Sequence, residues 1–254
     1  MVKEIAEVVY QAEIAMDIYS LLLKVTFAGE AVPGQFVSLY SKDSSRLLPR
    51  PISICETDAG SGTVRLVYRI AGKGTREFSG LKGGDRIEIL GPLGNGFPVD
   101  EYREKRVLLI GGGIGIPPLL FCSDRLKDAV FAVGYRSETY LLEDLKMRGE
   151  VHVATEDGSM GTCGNVIDAI RADRVKADVI MSCGPMPMLR ALKAYAEEVG
   201  IPCYVSMEER MACGIGVCLG CVCGTEHVDD HSHVKNARIC KDGPVFDAKE
   251  VTLL

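Results

Sequence analysis

The chain lacks any block of basic residues: its 29 lysines and arginines are interspersed among 35 acidic residues, for a net charge of −6. Neither nucleic acid nor an anionic membrane surface is therefore an expected partner. It also lacks an uninterrupted apolar run. The most apolar stretch, residues 107–121, is broken by Gly111, Gly112, Gly113, Gly115, Pro117 and Pro118, whereas a membrane-spanning helix needs about 20 consecutive apolar residues. The N-terminal Met1-Val-Lys-Glu-Ile-Ala-Glu is charged and has no signal-peptide core. Ten cysteines without an export signal point to a reducing, cytoplasmic setting, with thiols used as ligands rather than in disulfides. At 254 residues, 47% hydrophobic and 25% charged, the chain suits two modest domains and a small extra module of a soluble protein.

The most informative stretch is Cys213-Gly-Ile-Gly-Val-Cys218-Leu-Gly-Cys221, followed after a gap of eighteen residues by Cys240. Cys-x4-Cys-x2-Cys with a distant fourth thiol is the plant-type spacing for a two-iron, two-sulfur (2Fe–2S) cluster. Gly214, Gly216 and Gly220 suit a loop that wraps its backbone around a cluster. A structural zinc site is the competing reading. It usually draws on two paired Cys-x2–4-Cys knuckles, and one is present here. His227, His231 and His233 lie between Cys221 and Cys240 and read as a solvated loop. Cys223 is close enough to be considered as a ligand, but the four-thiol pattern is complete without it. Cys55, Cys122, Cys163 and Cys203 have no partner pattern and read as small core residues.

From residue 3 to 92 the chain reads as short strands separated by glycine and proline turns, which predicts a sandwich or barrel. The clearest strands are 19–26, 35–40, 63–70 and 85–90, and the only helical signal is at 74–81. Two segments look chemical. Arg50-Pro51-Ile52-Ser53 offers a guanidinium fork and a hydroxyl on a stiff extended backbone. Val67-Tyr68-Arg69 runs into a glycine turn with Gly74 and Thr75, where backbone N–H groups can cradle a diphosphate. Each alone reads equally well as an ordinary strand or turn with surface charge; together in one small barrel they are stronger.

The pattern changes near Tyr102. The apolar strand 106–110 leads into Gly111-Gly-Gly113-Ile-Gly115-Ile-Pro-Pro118 and a helix to about residue 127, a standard arrangement for binding phosphate. Alternating signals follow: strands at 129–135, 150–155, 178–182 and 201–205, helices at 140–147, 164–171 and 185–199. This predicts a doubly wound parallel α/β sheet with ligands at the carboxyl ends of its strands. After the second strand, Glu138 suits the ribose hydroxyls of NAD, while Arg136 could take a 2′-phosphate.

The pair Arg-Pro-Ile-Ser and Gly-Lys-Gly-Thr resembles the flavin-binding barrel of the ferredoxin–NADP reductase superfamily. The resemblance implies that Arg50, Pro51, Ile52, Ser53, Val67, Tyr68, Arg69, Gly74 and Thr75 hold FAD. It also implies that Gly111, Gly113, Gly115 and Pro118 hold NAD, and that Cys183-Gly184-Pro185 lies beside nicotinamide, Cys183 near the hydride path without being a nucleophile. The order of modules, Glu208-Glu-Arg-Met-Ala-Cys213 and the closing Arg238-Ile-Cys240-Lys-Asp-Gly-Pro-Val-Phe246 resemble, over essentially the whole chain, the electron-transfer subunits of class 1B dihydroorotate dehydrogenase. That family implies three domains: an antiparallel FAD-binding β-barrel at 1–101, a doubly wound parallel NAD-binding sheet at 102–205, and a small iron–sulfur module at 206–254 held by Cys213, Cys218, Cys221 and Cys240. It further implies an FMN-containing dihydroorotate dehydrogenase subunit as partner, in a heterotetramer of two of each chain. Electrons would pass from that FMN through the 2Fe–2S cluster and FAD to NAD+, in pyrimidine biosynthesis. Flavin stands between because it handles one electron or two, whereas the cluster moves one and nicotinamide takes a hydride. The runner-up is a homologous subunit of an NAD(P)H-dependent ferredoxin or sulfur reductase. A zinc-stabilised flavin or nucleotide sensor is the non-catalytic alternative.

Overall fold

The computed structural model describes residues 1–226, 228 and 233–253. Six strands, β1 (Val2–Ala15), β2 (Ile18–Lys24), β3 (Phe36–Leu39), β4 (Arg50–Asp58), β5 (Thr63–Arg69) and β6 (Arg86–Leu93), close into a barrel in the order β1-β2-β5-β4-β3-β6. Every neighbouring pair is antiparallel. Period-two alternation turns Leu21, Leu23, Val37, Leu39, Val64, Leu66, Ile87 and Ile89 inward to form the core. β1 is the longest strand at 14 residues, and irregularities at Val8/Tyr10 and Glu13/Ala15 bend it between both neighbours. The helix α1 (Lys73–Phe78) follows β5. Its entry is tied by Thr75, whose Oγ1 accepts from the N–H of Ala71 at 2.9 Å and of Gly72 at 3.2 Å.

The next elements are β7 (Arg106–Gly112), α2 (Pro117–Ser123), β8 (Asp128–Tyr135), α3 (Leu142–Lys146), β9 (Glu150–Thr155), β10 (Thr162–Cys163), α4 (Val166–Ala172), β11 (Val179–Cys183), α5 (Met186–Val199) and β12 (Cys203–Ser206). They make a parallel sheet in the order β10-β9-β8-β7-β11-β12. β7 and β11 are buried along almost their whole length because the sheet is covered on both faces, which is why they read as continuous apolar runs. The helices run shorter than the sequence suggests, for local reasons. Asn165 caps α4, its Oδ1 accepting from the N–H of Ile167 and Asp168, so the helix begins at Val166 and not at Gly164. In the last turn of α2 the Ser123 hydroxyl donates to the Leu120 carbonyl at 2.7 Å, and the helix stops there rather than near residue 127.

The last segment forms a small hairpin, β13 (Val222–Gly224) with β14 (Asn236–Arg238), and then β15 (Val245–Asp247). β15 adds antiparallel to β12 and becomes the seventh strand of the nucleotide sheet. The C-terminal module is thus stitched into its neighbour. It is also tied to the barrel: Asn95 Nδ2 donates to the carbonyls of Asp242 and Val245 at 2.8 and 3.1 Å, and Asn95 Oδ1 accepts from the Val245 N–H at 3.1 Å. Barrel and sheet meet through half-buried ions. Arg65 pairs with Glu56 at 2.6 Å and Asp144 at 3.4 Å, while Arg148 pairs with the same Glu56 and with Asp124. No helix among the described residues is long and apolar enough to cross a membrane.

Candidate flavin cleft and thiol cluster

A cleft of about 310 Å³ opens where all three parts of the chain meet. One wall is the start of β4, Arg50, Pro51, Ile52 and Ser53; a second is the end of β5, Val67, Tyr68 and Arg69, with Thr75 of α1. Eight of the nine residues expected to hold FAD therefore share one cavity. Gly74 lies beside it. A β-carbon there would fall 2.6 Å from Arg50 Nε, so the Arg50 side chain lies directly across the Gly74 backbone. Tyr68 is deeper than a free stacking platform: it is 1% exposed, its ring stacks on Tyr19 at 5.9 Å, and its hydroxyl donates to Gln11. Burial, with Tyr19 beside it, pushes that phenol well up, so it stays neutral.

The remaining wall was invisible in the sequence. Phe36 of β3, Ile114 from the glycine turn, Ser206, Met207, Glu208, Glu209 and Met211 from the segment after β12, and Pro244 complete the lining. Ile114 belongs to the glycine turn, and Glu208, Glu209, Met211 and Pro244 to the segments around the thiols, but nothing in those segments marks them as neighbours of the flavin wall; only their long-range assembly does. Glu208 is reachable from the mouth of the cleft but hemmed in by protein on its other sides. Burial raises its carboxyl pKa, and Arg69 works against that rise.

The expected nucleotide residues converge at the point where strand order reverses, between β7 and β11, where ligands of such sheets bind. Gly111 is the penultimate residue of β7, Gly113–Gly115 form one 3₁₀ turn, and Pro118 is the second residue of α2. Against them packs Cys183-Gly184-Pro185 at the end of β11. A β-carbon on Gly115 would lie 2.2 Å from the Cys183 carbonyl oxygen, and one on Gly184 would lie 3.0 Å from the Gly112 nitrogen. The two loops touch backbone to backbone, which only glycine permits. Cys183 is 1% exposed, and burial, with Glu208 nearby, drives its thiol far above the usual range. It is a neutral packing group there, not a nucleophile. Glu138 is turned toward the barrel, where it accepts from the Met16 N–H at 3.1 Å, and Arg136 is exposed.

The four expected cluster thiols come as two pairs. Cys213 Sγ accepts from the N–H groups of Val217 and Cys218 at 3.4 Å, and Cys218 Sγ accepts from the Gly220 N–H at 3.4 Å. Cys221 Sγ accepts from the Cys240 N–H at 3.4 Å, and Cys240 Sγ accepts from the Gly216 N–H at 3.1 Å. Burial works to raise the Cys213 thiol, but donors from Ile215, Cys218 and Val217 outweigh it and bring it down to about 6. Burial and Cys221 push Cys240 up to about 12. Among the described residues no three metal-binding side chains converge on a single ion position. Two separated thiol pairs fit a two-iron cluster, with one pair for each iron, better than the single tetrahedral point that zinc requires. Backbone N–H groups turned toward sulfur also suit an anionic cluster. Cys223 sits on β13 opposite Ala237, outside both pairs. His227 and His231 lie outside the described residues, and His233 is exposed. Of the other cysteines, Cys55, Cys122 and Cys203 are buried, but Cys163 is exposed. That corrects its reading as a core residue: β10 is a two-residue strand at the edge of the sheet, and Cys163 at its end is open to solvent.

Comparison with known proteins now bears on this geometry. An oxidoreductase FAD-binding domain model matches residues 6–97, which span the barrel. The iron–sulfur cluster binding domain of dihydroorotate dehydrogenase B matches residues 208–252. The dihydroorotate dehydrogenase B (NAD(+)) electron transfer subunit of Listeria monocytogenes serotype 4a (strain HCC23) is 44% identical over 97% of this chain and 98% of its own. The chain belongs to this family of electron transfer subunits. The subunit of the same name from Bacillus velezensis is also 44% identical, over 95% of this chain and 96% of its own. Among solved structures, a chain of NADH-dependent reduced ferredoxin-NADP oxidoreductase is 30% identical with a TM-score of 0.86, covering 98% of this chain and 90% of its own. A flavohemoglobin from Malassezia yamatoensis, 19% identical with a TM-score of 0.65 over 79% of this chain and 58% of its own, shares the fold. As a member of the family, the chain is an oxidoreductase subunit with an FAD-binding reductase fold and a C-terminal iron–sulfur domain.

Proposed function

We propose that this chain is the outlet of a dihydroorotate-oxidising complex, taking electrons from an FMN-bearing catalytic subunit and delivering them to NAD+. The observation that carries the reading is the shared wall of the cleft. Ser206, Met207, Glu208, Glu209 and Met211 line the flavin side, and their segment runs on to Cys213 two residues later, so the two redox sites are neighbours on one short piece of backbone. When bound, the cluster carries single electrons and the flavin turns pairs of them into a hydride for nicotinamide.

The residues of the chain do the positioning. Arg50 and Arg69 offer guanidinium groups for the flavin diphosphate and ring oxygens, Ser53 and Thr75 offer hydroxyls, and Gly74 lets Arg50 approach the backbone. The turn Gly111–Gly115 with Pro118, and Cys183-Gly184-Pro185, form the nicotinamide nucleotide seat, and the tight contact between them sets its width. Cys213 with Cys218 and Cys221 with Cys240 hold a 2Fe–2S cluster. Domain boundaries are placed at 101/102, between β6 and β7, and at 205/206, one residue before the end of β12.

Around Cys218, itself exposed, Ile215, Val217, Leu219 and Val222 are 38, 76, 58 and 40% exposed. An apolar rim around a cluster ligand suits docking by the catalytic subunit, since electrons cross there. The family resemblance implies a pairing of two chains of each kind, which native mass measurement tests. Co-expression with a dihydroorotate-oxidising subunit and anaerobic assay should give dihydroorotate-dependent NAD+ reduction that disappears in Cys218→Ser. An intact complex with cluster and FAD that reduces ferredoxin but never NAD+ from dihydroorotate would refute the reading.

A further inference from the structure

Ser38 is buried on the outside of the barrel with nothing to bond. It is 1% exposed, and its Oγ has no hydrogen-bond partner among the described residues. Its place on β3 explains why this matters. Val37 and Leu39 point into the barrel core, so Phe36 and Ser38 face outward. Phe36 lines the flavin cleft and packs in the same apolar cluster as Cys221 and Cys240. Across the sheet Ser38 stands opposite Pro51, a residue of the flavin wall, on one side and Leu90 on the other. Above it lies the thiol loop: a β-carbon on Gly214 would be 3.0 Å from Ser38 Oγ and 3.6 Å from Leu93 Cδ1. Gly214 directly follows Cys213. The hydroxyl therefore sits between the flavin strand and the cluster loop, in otherwise apolar surroundings.

A buried hydroxyl without an acceptor is costly, and native structures rarely keep one. Among the described residues no protein atom fills the role, the Cys213 sulfur included, since its donors there are the backbone N–H groups of Val217 and Cys218. We propose that Ser38 Oγ donates its hydrogen bond to an anionic sulfur of the bound cluster, and so sets the potential at which this cluster exchanges electrons with the flavin. The acceptor is a bridging sulfide or the Cys213 thiolate once iron has drawn it into place. Reduction adds negative charge to those sulfurs, so a donor stabilises the reduced cluster more than the oxidised one and raises its potential. The proposal rests on the reading of Cys213, Cys218, Cys221 and Cys240 as cluster ligands.

The test uses the full chain purified anaerobically with its cluster and FAD, as wild type, Ser38→Ala and Ser38→Thr. Iron content and the visible spectrum are recorded first; a wild-type chain without a cluster would overturn the ligand reading and this inference with it. With the cluster present, redox titration of Ser38→Ala is expected to lower the cluster midpoint by about three- to tenfold in the reduction equilibrium, or about 28–59 mV for one electron. Ser38→Thr, which keeps the hydroxyl, is expected to restore most of the shift. Resonance Raman spectra in H₂O and D₂O should show one deuterium-sensitive Fe–S mode that Ser38→Ala loses. A bridging-sulfide or a terminal-thiolate mode identifies which sulfur accepts. The cluster-free Ser38→Ala chain should melt no lower than wild type, because it loses an unpaired polar group. An unchanged cluster midpoint would overturn the proposal, as would a shift confined to the flavin. A cluster-free Ser38→Ala chain that melts well below wild type would make Ser38 a packing residue and overturn it too.

Discussion

Gly115→Ala tests the nucleotide seat most directly. The added methyl would meet the Cys183 carbonyl oxygen at 2.2 Å, its carbon at 2.4 Å and the Gly184 nitrogen at 2.6 Å. These are backbone atoms at the end of a central strand, so no side chain can rotate away. Ordinary contact begins near 3.4 Å, and the turn and the β11 end must therefore separate by about 1.2 Å. Overpacking of this kind costs about 1–3 kcal/mol. At roughly 2–4 °C per kcal/mol for a chain of this size, melting should fall by about 2–12 °C. The effect on catalysis should be larger, because a displacement near 1 Å in a reactive arrangement can cost about 10²-fold. The assay is NADH oxidation with an artificial acceptor, read as kcat/KM for NADH, with FAD and iron content measured alongside. For the melting measurement the control is Gly113→Ala. That position has φ +53° and no atom within 4 Å of the would-be methyl, so it carries only the left-handed penalty of about 1–2 kcal/mol. Gly115→Ala with melting and kcat/KM both within error of wild type would refute the claim that the two loops set the width of the seat.

Gly74→Ala should displace the Arg50 guanidinium, since the methyl would lie 2.6 Å from Nε; FAD per chain should fall while iron per chain holds, as read by absorbance and iron assay. Cys218→Ser should lose the cluster but keep FAD and NADH oxidation by dyes, because the flavin cleft contains no atom of Cys218; loss of FAD as well would count against separate sites. Asn95→Ala removes three hydrogen bonds to the C-terminal segment, and at about 1 kcal/mol each it should lower melting and loosen the cluster module first, as seen by faster hydrogen exchange at residues 242–247. Glu208 has a raised carboxyl pKa, so charging it opposes folding: the chain is free of that penalty at pH below the usual carboxylate range and bears it in full above the raised value. Glu208→Gln should therefore raise the melting point of the flavin-free chain at pH 8 more than at pH 4, and equal gains at both would refute the assignment.

Much of the chemistry was legible because it is local. Cys213, Cys218 and Cys221 lie within nine residues, Arg50 to Ser53 on one strand, and Gly111 to Pro118 on one turn. Groups that close in sequence are bound to be close in space, so spacing alone announced a cluster loop and a phosphate turn, while the flavin role of the Arg50–Ser53 strand came from the family resemblance. The parallel sheet was readable for a related reason: β7 and β11 are covered on both faces and must be apolar throughout. Element ends were less readable, since α2 and α4 are trimmed by single side-chain hydrogen bonds at Ser123 and Asn165, which a periodicity does not register.

What the sequence by itself determined was the set of chemical parts and their order along the chain. Only the tertiary structure decided how they meet. It brought Phe36, Glu208, Met211 and Pro244 into the flavin cleft from three distant segments, paired Cys240 with Cys221 across eighteen residues, and added β15 to a sheet begun more than a hundred residues earlier. It also exposed Cys163 while leaving Ser38 buried without a partner among the described residues. The physical reason is the same in each case: burial and hydrogen bonding are satisfied by whatever the fold packs alongside, and those neighbours are set by strand pairing over long range, which no short window of sequence contains.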